Sequence, residues 1–165
     1  MRLTIRPAGV TDAAALAALW NPWIRDTSAT FNDVEKTQSD LADMIIARQK
    51  AGHGFFLAKD AGPPLGFASY AQFRSGAGYA NAMEHTVVLA PEARGQGVGR
   101  ALMAALESHA RSAGVHVMIA GVSGENAEGR AFHAALGYAE VALIPQVGRK
   151  FGRWMDLVLM QKFLS

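Results

Sequence analysis

The chain has 165 residues, of which 50% are hydrophobic and 18% charged, with a formal net charge of +2. This is one domain's worth of sequence over 1–165, long enough to bury a core unaided by metal or disulfide. The absence of cysteine excludes a disulfide framework, a thiol nucleophile and any thiolate metal site, and it fits a reducing, cytoplasmic compartment. Basic residues are scattered rather than striped, so no nucleic-acid partner is expected. The first residues, MRLTIRPAGVTD, hold no apolar core of signal-peptide length and no later run approaches a membrane span, so no membrane partner is expected either.

Leu3 to Arg6 alternates apolar and polar residues up to Pro7 and reads as a first strand. Thr11 is placed to cap a helix carrying Leu16, Leu19, Trp20, Trp23 and Ile24, which Pro22 should kink or stop near Trp20. Ser39 should cap a second helix with Leu41, Met44 and Ile45 facing inward, ending before Gly52. Phe55 to Lys59, Leu65 to Phe73 and Ala82 to Leu89 read as three strands. Val98 to Ala113 has the strongest helical period: Val98, Ala101, Leu102, Ala105 and Leu106 repeat on one face. Val115 to Val122 is almost continuously apolar, the mark of a strand covered on both sides. A short helix from Asn126 to Leu136 stops at Gly137, and strands Ala139–Val147 and Trp154–Lys162 flank a basic, glycine-containing loop. The order β-α-α-β-β-β-α-β-α-β-β implies a mixed α/β sheet with helices on both faces.

The most informative stretch runs from the strand Val87-Val88-Leu89 through Arg94-Gly95-Gln96-Gly97-Val98-Gly99-Arg100 into the strongest helix. Glycines at alternate positions let an anion approach bare backbone N–H groups, and the helix start adds donors and partial positive charge. The segment therefore reads as a diphosphate cradle. A P-loop is excluded because no Gly-Lys-Ser/Thr occurs, and a dinucleotide fingerprint fails because Leu102 stands where its last glycine belongs.

The spacing Arg94-x-x-Gly97-x-Gly99, together with Asn126 and the segment Phe132-His133-Ala134-Ala135-Leu136-Gly137-Tyr138, resembles the GCN5-related N-acetyltransferase family. Glu84-His85-Thr86-Val87, the stretch from Val117 to Asn126, and the stretch from Val147 to Asp156 resemble its phosphinothricin and methionine sulfoximine acetyltransferase subgroup. The resemblance covers the whole chain. It implies a mostly antiparallel sheet of six to seven strands, acetyl-CoA as cosubstrate, a small amino-acid-like acceptor acetylated on its α-amine, and a homodimer in which the 145–153 loop closes over the neighbour's site.

Near neutral pH an α-ammonium is mostly protonated, so acetyl transfer to it needs a base. The resemblance places that base at Glu84, an oxyanion donor at the Val88 N–H, and main-chain partners for the pantetheine arm at Val87 and Leu89. It sets His133 where many members carry a thiolate-protonating tyrosine, and Asn126 on a pantetheine amide. The same two residues also read as a packing histidine and a helix cap. Thr30, Phe31, Phe73 and Arg74 are the acceptor-side candidates, with Arg74 suited to a carboxylate. Arg100, Arg130 and Lys150 read equally as phosphate contacts or solvated charges.

No metal is expected: the five histidines lack metal-ligand spacing. Gly121-Val122-Ser123-Gly124-Glu125 fails as a nucleophile elbow because Glu125 fills its last position. Two alternatives remain open in the sequence: the same catalyst acting on a polyamine, an aminoglycoside or a protein N-terminus, and a non-catalytic acetyl-CoA sensor.

Overall fold

In the computed structural model, which describes residues 1–165, strands β1 (Thr4–Pro7), β2 (Phe55–Lys59), β3 (Pro64–Gln72), β4 (Ala82–Leu89), β5 (Val117–Ser123), β6 (Ala139–Lys150) and β7 (Arg153–Phe163) form one sheet. Its order is β1-β2-β3-β4-β5-β7-β6. Helices α1 (Ala13–Asp26) and α2 (Gln38–Ala51) cover one face; α3 (Val98–Ser112) and α4 (Ala127–Ala135) lie on the other. On the first face, Leu16, Trp20 and Ile24 of α1 and Leu41 and Ile45 of α2 bury against Phe55, Leu57, Phe67 and Val88. On the second, Val98, Leu102, Leu106 and Ala110 of α3 bury against Ala68, Tyr70, Met118 and Ala120. Each set follows its element's period, so one alternation along β3 and β4 feeds both cores.

Every strand pair is antiparallel except β4 with β5. That parallel pairing lasts only from Ala82↔Val117 to His85↔Ala120. Beyond it, β4 continues against β3 and β5 against β7, so the two strands part.

Local details depart from the sequence reading where side chains redirect the ends. Thr11 does not cap α1. The Asp12 carboxylate takes the Gly9 N–H at 2.8 Å and the Arg6 guanidinium at 2.8 Å, and a 3₁₀ turn over Val10–Asp12 precedes the helix. Pro22 neither kinks nor stops it: the helix runs on to Asp26, with Pro22 exposed and the buried Trp20 and Ile24 holding both sides. Thr37, two residues before Ser39, caps α2 in a reciprocal pair, taking the Asp40 N–H at 3.0 Å while the Asp40 carboxylate takes the Thr37 N–H at 2.8 Å. The expected loop at 145–153 is mostly a continuing hairpin, with Gly148, Arg149 and Lys150 facing Met155, Trp154 and Arg153. Phe151 and Gly152 turn it, both at positive φ (53° and 72°), the geometry of a tight primed turn.

Candidate active site

The parting of β4 from β5 opens a cleft of about 950 Å³. Two paired contacts on the β3 side fix which groups face it. Phe73 N–H donates to the Ala82 carbonyl at 2.9 Å and Ala90 N–H to the Leu65 carbonyl at 2.8 Å. Antiparallel pairs alternate, so the pair Phe67↔Val88 is hydrogen-bonded, and the main-chain groups of Val87 and Leu89 point the other way, into the gap. The Val88 N–H is thereby committed to the sheet. The donors left facing the cleft belong to Val87 and Leu89, which corrects the assignment of the oxyanion donor to Val88. At the Leu89 end of the gap, the Trp23 indole N–H donates to the Leu89 carbonyl at 3.0 Å and ties α1 to the end of β4.

The glycine turn sits where β4 ends. Gly95 and Gly97 adopt φ of 70° and 80°, a left-handed backbone that L side chains resist. A Cβ on either meets no atom within 4 Å, so the requirement is conformational and the space above them is open. Gly99 has a different role. It is buried, and a Cβ there would lie 2.9 Å from the Phe132 ring and 3.1 Å from Leu89, so this glycine lets α3 pack against α4. Helices α2 and α4 begin with side-chain caps from Thr37 and Asn126, whereas α3 begins at Gly97 with none. Its first N–H groups, with those of the turn, are thus available to an anion, the fit a diphosphate requires. A second hollow of about 270 Å³, lined by Gly97, Val98, Gly99 and Arg100, adjoins it. Gln96 folds back, donating from its amide to the Glu92 carbonyl at 2.8 Å, and Arg94 pairs with Glu128 at 3.2 Å across the cleft mouth.

Glu84 lies on the cleft wall beside the last parallel pairs. Burial alone pushes its pKa above the ordinary carboxylate value, with no cation or hydrogen bond to offset it. Its carboxylate rests over Gly121, where a Cβ would come within 2.8 Å of Oε2; Gly121 makes the room it occupies.

His133, on α4, is buried with His85 of β4, their Nε2 atoms 2.9 Å apart. The Gly129 carbonyl, 2.7 Å from His133 Nδ1, can only accept, so Nδ1 carries the proton. Burial depresses both pKa values, that of His85 to about 3, so both rings are neutral. His85 Nε2–H therefore donates to His133 Nε2, and His85 Nδ1 is left buried without a partner. Neither nitrogen of His133 has a proton free for a departing thiolate. The geometry gives His133 a holding role in place of the acid role.

A family model described as the acetyltransferase (GNAT) family matches residues 16–138. The chain belongs to that family. It is 38% identical over 98% of its length to an L-methionine sulfoximine/L-methionine sulfone acetyltransferase of Pseudomonas paraeruginosa, 94% of which is covered. It is 32% identical over 98% of its length to a phosphinothricin N-acetyltransferase of Alcaligenes faecalis, 83% of which is covered. Among solved structures, YncA of Salmonella typhimurium with acetyl-CoA superposes with a TM-score of 0.93 at 37% identity, covering 99% of this chain and 94% of that one. The mostly antiparallel seven-stranded sheet agrees with the family fold read from the sequence.

In this GNAT chain the structure gathers Glu84, Val87, Val88, Leu89, Arg94, Gly95, Asn126, His133, Thr30 and Phe31 around the cleft. Asn126 caps α4 through its carbonyl oxygen, which accepts the Gly129 N–H at 2.9 Å; the amide nitrogen is free to serve a ligand. Phe73 and Arg74 do not line the cleft: Arg74 is exposed and stacks over Tyr79, while Ala71 and Gln72, earlier on β3, face the cavity. Arg130 is paired with Glu140 at 2.7 Å. Lys150 is buried and donates to the carbonyls of Thr27 and Thr30, so it is neither a phosphate ligand nor solvated. Arg48 and Gly121 also line the cleft and were not among the site residues expected from the sequence. Arg48 had a readable signal: it follows Leu41 and Ile45 at i+7 and i+3, a charge on the inward stripe of α2.

Proposed function

We propose that this chain is an acetyl-CoA-dependent N-acetyltransferase acting on the α-amine of a small amino acid or analogue of the methionine sulfoximine, methionine sulfone or phosphinothricin type. One observation carries it: the gap between β4 and β5 has an uncapped helix N-terminus at one end and an unpaired, half-buried carboxylate, Glu84, at the other. Acetyl-CoA supplies the activated acetyl thioester. The N–H groups of Gly97, Val98, Gly99 and Arg100 would hold its diphosphate, the main chain of Val87 and Leu89 its pantetheine arm, and the Asn126 amide nitrogen an amide oxygen of that arm. Glu84 takes a proton from the acceptor ammonium, the step that makes the nitrogen nucleophilic. Val87 or Leu89 N–H donates toward negative charge developing on the carbonyl oxygen.

The test is thiol release from acetyl-CoA across an amine panel. Turnover selective for methionine sulfone, methionine sulfoximine or phosphinothricin is the expected result; turnover only on polyamines or peptides would overturn the acceptor class. Calorimetry showing no heat with CoA or acetyl-CoA would overturn the reading entirely. A cytoplasmic location is part of the same proposal, supported by a sequence without cysteine. A homodimer is part of the same proposal, supported by the exposed apolar residues Val141, Leu143, Val147 and Trp154 along the β6–β7 edge, and sedimentation equilibrium tests it.

A further inference from the structure

Arg48 presents an unusual combination. It stands on the inward stripe of α2, lines the cleft, and has no carboxylate partner among the ion pairs of the chain. Its one side-chain hydrogen bond runs from Nε to Ser69 Oγ at 3.2 Å, and Ser69 in turn donates to the Gly54 carbonyl at 3.0 Å. Ser69 is thus a fixed acceptor that orients the guanidinium by its Nε edge and leaves the two Nη groups unused. Burial of the cation without a counter-charge disfavours it, and the pKa falls accordingly. An uncompensated, oriented cation at a cleft wall fits an anion brought by the ligand.

The sheet register says which anion. Ser69 pairs with Thr86, and Ala71 pairs with Glu84, so Ser69 and Glu84 lie one diagonal apart on the same sheet face, about 7–8 Å between Cα atoms. A ligand with an amine and a carboxylate on one carbon bridges such a pair, its nitrogen toward Glu84 and its carboxylate toward the Nη edge. We infer that Arg48, oriented by Ser69, is the receptor for the acceptor's α-carboxylate and the group that selects free α-amino acids over amines lacking one. Arg74, exposed and stacked on Tyr79, does not face the cleft from which it would compete. This rests on the acceptor reading above and deepens it: a polyamine, an aminoglycoside and a peptide N-terminus all lack a carboxylate at that position.

The test compares methionine sulfone with its carboxamide, in wild type, Arg48→Gln, Arg48→Lys and Ser69→Ala. Binding is read independently of turnover from the fluorescence of Trp20 and Trp23, which line the cleft. In wild type the free acid should bind about 10- to 100-fold more tightly than the amide. Arg48→Gln should raise Kd and KM for the acid by that factor, leave those for the amide within about twofold, and leave KM for acetyl-CoA unchanged. Arg48→Lys should recover part of the loss, and Ser69→Ala should show a smaller loss of the same acid-specific kind. Equal effects of Arg48→Gln on acid and amide, or no preference for the acid in wild type, would overturn the inference. If wild type binds the acid through Arg48 but acetylates no amino acid, the functional proposal falls while the receptor stands.

Discussion

The ammonium of Lys150 donates to the main-chain carbonyl of Thr30 at 2.9 Å, joining the tip of the β6–β7 hairpin to the cleft-lining loop 120 residues earlier. The same nitrogen donates to the Thr27 carbonyl at 2.6 Å. Beside it the ring of Phe31 lies over Gly148, where a Cβ would come within 2.5 Å. A buried lysine and a missing side chain together set the position of the loop carrying Thr30 and Phe31. Lys150→Met should therefore raise KM for the amine acceptor about tenfold while leaving KM for acetyl-CoA unchanged, because a small displacement of a positioning loop is felt in the reacting geometry. Stability should change by no more than about 1 kcal/mol, since removing a desolvated charge offsets the lost bonds. Steady-state kinetics with each substrate varied in turn checks it; equal effects on both KM values would contradict it.

As the proposed base, Glu84 would set stability against turnover. Its folded-state pKa is raised, so its contribution to stability is full below the unfolded value and is lost as pH rises through the folded value. At pH 7 the ionised carboxylate is a liability to the fold. Glu84→Gln should raise Tm at pH 7–8 by about 1–3 °C while lowering kcat at least about 100-fold. In wild type, kcat/KM should rise with pH along an acid limb centred above the ordinary carboxylate range, and that limb should vanish in the variant. Calorimetry and a pH–rate profile measure the two halves; a stabilised variant that retains the limb would remove Glu84 as the base.

Much of this architecture is legible in the sequence because the hydrophobic periods are strong. The α3 stripe, the β4 boundaries and the end of α2 at Gly52 all lie where the spacing puts them. What escapes the sequence depends on partners distant along the chain. Lys150 reads as one of several basic residues until the fold brings the Thr27 and Thr30 carbonyls to it. The direction of the Val88 N–H depends on the parity of the β3–β4 ladder, which two-residue alternation within one strand does not specify. Arg74 stands two residues past the end of β3, exposed, and only the folded chain shows that the cavity lining stops at Gln72.

The two cradle glycines and Gly99 can be separated by mutation. Gly97→Ala places a Cβ in open space but at a φ of 80°, so it should destabilise by about 1 kcal/mol and raise KM for acetyl-CoA about tenfold, leaving the acceptor KM unchanged. Gly99→Ala meets Phe132 at 2.9 Å and should cost about 1–3 kcal/mol through forced repacking of α3 against α4. Denaturant unfolding together with acetyl-CoA titration distinguishes them. A Gly97→Ala enzyme with unaltered acetyl-CoA affinity would argue that the turn holds no anion.

The His85–His133 pair gives the fold an acid sensitivity with a definite sign. His85 titrates at about 3 in the folded chain and at about 6.5 when unfolded, so between these values the unfolded state binds a proton that the native state refuses. Stability falls as pH drops below about 6.5, with a slope approaching about 1.4 kcal/mol per pH unit from this residue alone. The groups packed around it do not reverse the sign. His133 is itself depressed by burial, and the Tyr138 ring lies edge-on at 5.4 Å with its hydroxyl committed to Glu107 at 2.8 Å. Replacing His85 by Gln keeps an N–H donor for His133 Nε2 but removes the titration, so the variant should lose most of that slope between pH 6 and 4.5. Urea unfolding at half-unit steps of pH decides it: parallel curves for wild type and His85→Gln would mean that the buried ring takes up its proton without opening the fold.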